Sequence, residues 1–128
     1  MAHPRGKLFA LCFLTLLALG ACQLPASNST CNTTIDWVNF IKVGSIVYTA
    51  DLQNSTPLLV SDLGPIDTHV KFKVDGHVCD PHYQLKDGDA AFLAPGTAIY
   101  QVSAYSPTQA LAAYFNGQLL LYVATASS

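Results

Sequence analysis

Apolar and charged residues alternate strictly along residues 70–74. Val70, Phe72 and Val74 are apolar, and Lys71 and Lys73 stand between them. Period-two alternation predicts a strand with one buried and one wet face. Asp75-Gly76 follows, the pair that type I′ hairpin turns prefer, so His77-Val78-Cys79 is expected to return as the partner strand. Residues 35–50 are more continuously apolar. Gly44 interrupts them and predicts either one long bent strand or two short ones. Leu58-Leu59-Val60 reads as a further short strand, and Ser61-Asp62-Leu63-Gly64-Pro65 as a loop. Residues 80–89, with Pro81 and Gly88, read as another loop, and residues 90–93 as a short strand. Pro95-Gly96 fits a type II turn. Residues 97–104 form a strand with Tyr100, Val102 and Ala104 on one face, and Ser106-Pro107 breaks it. Residues 110–115 and 118–123 are joined by Asn116-Gly117, a second hairpin signal. Both strands are apolar on both faces and should lie centrally. A short helix over residues 108–115, where Ala and Leu dominate, is the alternative. The pattern predicts an all-β domain, a small barrel or sandwich of about six to eight short antiparallel strands built from hairpins.

The first residues follow another rule. Arg5 and Lys7 precede an uncharged apolar run over residues 8–19. A membrane-spanning helix needs about twenty such residues, so this run is too short to be one. A charged start, a short apolar middle and small residues at the end describe a cleaved signal peptide. It ends Leu19-Gly20-Ala21-Cys22, which resembles the lipobox of bacterial lipoproteins. The resemblance covers only this leader. It implies that the Cys22 thiol receives a diacylglyceryl group and that cleavage makes Cys22 the first mature residue. Gln23 in place of an aspartate would, by the same resemblance, favour the outer membrane of a Gram-negative cell. The expected division is a signal peptide over 1–21, a lipidated flexible tether over 22–33 and a β domain over 34–128. The tether is small, polar and proline-bearing. Three Asn-X-Ser/Thr stretches, at Asn28, Asn32 and Asn54, match the glycosylation pattern of a eukaryotic secreted chain, but this short pattern recurs by chance in such segments.

Charge narrows the partners. After the signal leaves, four lysines face eight aspartates, and neither arginine nor glutamate remains. A chain without the arginine fork, and of negative sign, is not expected to bind nucleic acid. The scarcity of strong helix formers agrees with strands and turns.

Of four cysteines, Cys12 leaves with the signal and Cys22 takes lipid. Cys31 and Cys79 remain outside the reducing cytoplasm and are expected to pair as a disulfide. A loop of that length would add on the order of 4 kcal/mol in the chain-entropy account.

The one polar cluster of ligand character is His77, Cys79 and His82, with His69 across the expected hairpin. Their nitrogen and sulfur would suit zinc or copper, but the spacing of a paired metal site is absent. The competing expectation is an oxidised Cys79 among exposed histidines, with no resident metal or cofactor. Asp87-Gly88-Asp89 with Asp80 lacks the spacing and closing glutamate of a calcium loop. Cys79 with His82 is the only conceivable start of a nucleophilic site, and the two are too local in sequence for one. Trp37, Phe40, Tyr83 and Tyr105 could form an aromatic platform for sugar or peptide; core packing is the plainer reading. Residues 85–97, with Tyr100 and the Tyr105-Ser106-Pro107 turn, look like a segment of uncharacterised exported bacterial proteins. No activity follows from that likeness. The expectation is a non-enzymatic extracytoplasmic lipoprotein, held on a bacterial membrane through Cys22, whose β domain binds a glycan or protein partner. A metal-binding module built on His77, Cys79 and His82 is the alternative.

Overall fold

The structure is a computed structural model that describes residue 31, residues 34–53 and residues 57–126. All belong to one compact unit, Cys31–Ser128. The expected signal peptide, Cys22, the tether other than Cys31, and the three glycosylation-pattern asparagines lie outside the described residues.

The described chain is all-β, with eight strands: β1 (Phe40–Val43), β2 (Ile46–Ala50), β3 (Leu63–His69), β4 (Phe72–Lys73), β5 (Asp89–Ala90), β6 (Ala98–Val102), β7 (Ala110–Phe115) and β8 (Gln118–Ala124). They form one sheet in the order β3-β6-β7-β8-β2-β1-β5-β4. The two end strands, β3 and β4, are separated in sequence only by Val70 and Lys71. A flat sheet of this width would hold its edges about 33 Å apart, while three residues of chain span at most about 11 Å. The sheet must therefore curl until its edges meet at residues 69–72, and the fold is barrel-like. No second sheet stacks on it among the described residues. Pairing is antiparallel except between β4 and β5, which run parallel, so the sheet is mixed rather than built from hairpins alone.

The C-terminal hairpin forms as the pattern predicts. Asn116 and Gly117 take φ of 52° and 77°, as a type I′ turn requires. The pair Ala113↔Leu120 sets the register. Leu111, Ala113 and Tyr122 face the inner core with Ile41, Tyr48, Val70 and Ile99. Ala110, Ala112 and Leu121 face outward and are covered by Leu58 and Leu63. The two strands are thus central, with Ala110–Ala113, Leu121 and Tyr122 buried, and residues 110–115 are strand rather than helix. Residues 35–50 resolve into two short strands turning at Gly44, whose φ is 61°.

Several expectations fail. The strand expected over residues 90–93 ends at Ala90, and of the one expected over 70–74 only Phe72 and Lys73 join the sheet. Residues 58–60 are not a strand: the chain makes a single 3-10 turn at Val60–Asp62, closed by the Asp62 carboxylate accepting the Leu59 N–H at 2.8 Å. The predicted loop at 61–65 instead opens β3, where the sheet edge tolerates Pro65 and irregular register. The hairpin at Asp75-Gly76 does not form. Both His77 and Val78 donate their N–H to the Val74 carbonyl, so the chain coils and residues 77–79 add no strand. Val70 and Val74 are buried as expected, but Phe72 between them is 37 % exposed. Among the described residues no helix is long and apolar enough to cross a membrane.

Candidate functional site

Period two in β1 separates its side chains: Ile41 enters the inner core, while Phe40 enters an outer cluster with Val74, Ala91, Trp37 and Phe92. Trp37 precedes β1 and lies on Phe40, with ring centroids 6.0 Å apart. Phe92, just beyond β5, packs on Phe115 at the end of β7, with centroids 6.1 Å apart. Between these two ring pairs opens a cleft of about 810 Å³. Leu120 of β8 and Leu52 beyond β2 complete its apolar wall. Half-buried and exposed hydrocarbon thus faces an open space, as in pockets that take small molecules.

Polar groups at the cleft are few and partly committed. Asn39 accepts the Tyr122 hydroxyl at 3.1 Å through its side chain and the Ala50 N–H through its carbonyl. Burial pushes the Tyr122 phenol up to about 12, against the opposing effect of the Asn39 bond, so Tyr122 is a neutral structural donor. Among the described residues Asp51 is the sole charged side chain lining the cleft. It accepts the Gln53 N–H at 3.2 Å. Tyr48, on the inner face, donates its hydroxyl to the Pro107 carbonyl at 2.7 Å.

A second hollow of about 510 Å³ lies beside Cys79. Cys79 is joined to Cys31, with Cα atoms 5.1 Å apart. The disulfide consumes the one described thiol that sequence offered as ligand or nucleophile. His69, His77 and His82 are all exposed. His77 sits against the Phe72 ring at 5.8 Å, and Asp80 caps the His82 N–H. Among the described residues no three His, Cys, Asp or Glu side chains gather closely enough to hold a metal ion. The aspartates of the 80–89 loop have structural tasks. Asp89, 3 % exposed, accepts the Tyr83 hydroxyl and the Lys86 N–H. Burial raises the Tyr83 phenol, and the bond to Asp89 and its charge add to the rise. Asp87 bridges the Lys71 ammonium and the Gly44 N–H.

The aromatic platform that the sequence suggests is therefore divided. Trp37 lines the cleft with Phe40 buried beneath it, Tyr83 lines the hollow by Cys79, and Tyr105 lies at a third, smaller depression. Phe115 and Leu120 were legible in principle. Strand parity puts Phe115 on the face of Leu111 and Ala113, and the turn places Leu120 opposite Ala113. Phe92 carried no such signal, because β5 ends at Ala90 and the chain beyond it follows no period. No protein family, curated protein or solved structure matches the chain.

Proposed function

We propose that the chain is an exported lipoprotein, held on a bacterial membrane by acylated Cys22, whose barrel-like β domain binds a ligand in the cleft beside Trp37. The observation that carries the reading is the Cys31–Cys79 disulfide. Such crosslinks persist outside the reducing cytoplasm. This one fastens the far end of the expected tether to the body of the domain. It agrees with the leader and with its lipobox-like end, Leu19-Gly20-Ala21-Cys22. Two or three acyl chains on one cysteine would anchor firmly, since each buried methylene adds about 0.8 kcal/mol and a single chain holds only marginally. The domain then works by binding rather than catalysis, with Trp37, Phe92 and Phe115 as the recognition surface.

Mass spectrometry of the N-terminus isolated from native membranes tests the anchor. A product beginning at Cys22 and carrying diacylglycerol is expected, and Cys22→Ser should move the protein into the soluble fraction. A product retaining residues 1–21, or one still membrane-bound after Cys22→Ser, would overturn the reading.

A further inference from the structure

We infer that the cleft beside Trp37 takes the hydrocarbon chain of a membrane amphiphile with an uncharged, hydroxylated head, a monoacylglycerol being the simplest member. This rests on the reading that the domain sits at a membrane surface. The wall is hydrocarbon, from Trp37, Phe92, Phe115 and Leu120. The cleft's volume, about 810 Å³, lies in the range of pockets that enclose small ligands. Its rim continues the apolar surface into solvent: Val38 is 65 % exposed and Leu52 is 71 % exposed. Large apolar side chains held out at the mouth of an apolar cleft mark an interaction site rather than a packing accident.

Charge selects the head group. Among the described residues Asp51 is the one charged side chain lining the cleft, and no lysine lines it. A free fatty acid would bring a second carboxylate to Asp51, and an anionic phospholipid would bring a phosphate. An uncharged head avoids both, and Thr49, Gln53 and Gln118 offer hydroxyl and amide partners to it. Position agrees as well. Trp37 and Val38 belong to the segment by which the chain enters the domain from Cys31, and Cys31 lies nine positions after Cys22. That length spans at most about 32 Å, so the mouth stays within reach of the membrane that holds the anchor.

Trp37 is the sole tryptophan of the chain, so its fluorescence reports the cleft directly. The processed chain, residues 22–128 with Cys22→Ser, is titrated with a monoacylglycerol whose acyl chain carries bromine, a contact quencher. Saturable quenching is expected. The same brominated chain as a free carboxylate should bind about threefold or more weakly. Asp51→Lys should reverse that preference. Val38→Glu and Leu52→Glu, at exposed positions that leave the circular dichroism unchanged, should each weaken the acyl ligand about tenfold. Absence of saturable quenching, or equal quenching in Leu52→Glu, would overturn the proposal. A saturable emission change with a neutral oligosaccharide and none with the acyl ligand would overturn it too, and would assign the cleft to glycan. The titration needs no acylated Cys22, so an error about the anchor and an error about the ligand give different results.

Discussion

In the β7–β8 hairpin every residue from Ala110 to Phe115 has a partner directly opposite it, and Ala110–Ala113 are covered on both faces. Between Lys71 and Ala91 only Phe72, Lys73, Asp89 and Ala90 sit in a ladder. The rest of that stretch is held by individual contacts. The Gly88 N–H donates to the Lys42 carbonyl, Lys71 and Phe72 both donate their N–H to the Gly88 carbonyl, Asp87 ties Lys71 to Gly44, and the disulfide fixes Cys79. The first region spreads its stability over a repeating pattern, so one lost contact weakens it by degrees. The second concentrates stability in a few atoms, and its loss should be local and steep.

The largest effect is expected where the second region is fastened to the N-terminal segment. Cys31 and Cys79 are 48 residues apart, and closing a loop of that length corresponds to about 4 kcal/mol in the chain-entropy account. The double variant Cys31→Ser/Cys79→Ser should lose about that much in denaturant unfolding. Its amides at Val74 and Val78 should exchange with solvent earlier than those of Leu111 and Ala113. Uniform loosening of both regions would break the contrast. In the hairpin, Leu111→Ala empties a fully buried site facing Tyr122 and should cost about 3 kcal/mol. Exchange protection should then fall across β6, β7 and β8 together, because they share one cooperative core.

Gly88→Ala comes next. Gly88 has φ of 91°, and an added Cβ would lie 2.7 Å from the Lys71 Cβ, too near the backbone to swing away. Left-handed strain and displacement of the Lys71 backbone together should cost about 2 kcal/mol. The control is Gly117→Ala in the hairpin. Gly117 also has positive φ, but an added Cβ there meets nothing within 4 Å, so that variant should lose only the backbone term. Equal losses at the two glycines would show that crowding against Lys71 is unimportant.

The same contrast decides what the sequence disclosed. The hairpin was legible because turn chemistry and two-sided apolar content in residues 110–123 agree with the pairing observed. The 70–79 stretch carried a clear alternation and an Asp-Gly turn, yet it coils after Val74. Local pattern cannot reveal that the Val74 N–H pairs with Ala90 and the Asp75 N–H with Ala91, which removes the edge a returning strand would have used. Pro65 hid β3, because an edge strand tolerates a proline that a central strand would refuse. Of the cleft, Trp37 was singled out for its residue type, but its partners come from three segments brought together only by the curl of the sheet. The Cys31–Cys79 pairing was legible by elimination among four cysteines.

The smallest expected effect belongs to Asp87, the contact on which the second region looks most dependent. Its carboxylate lies 2.8 Å from the Lys71 ammonium and 2.7 Å from the Gly44 N–H. The Lys71 bond first, and then the Gly44 bond, hold its pKa below the ordinary 3.8. A native carboxyl that gives up its proton more readily than the unfolded one stabilises the fold above pH 3.8. That contribution disappears as pH falls through the lower native value. Both partners of the ion pair are more than half exposed, so water and salt screen the interaction and it is worth less than about 1 kcal/mol. Asp87→Asn keeps an oxygen for the Gly44 N–H and loses only the charge. Its stability should fall slightly short of the unsubstituted protein's at neutral pH and converge with it in strong acid. The neutral-pH gap should also shrink in concentrated salt, where the screening length drops to about 3 Å. A gap that persisted in acid would mean that Asp87 acts through packing at the Gly44 turn rather than through its charge.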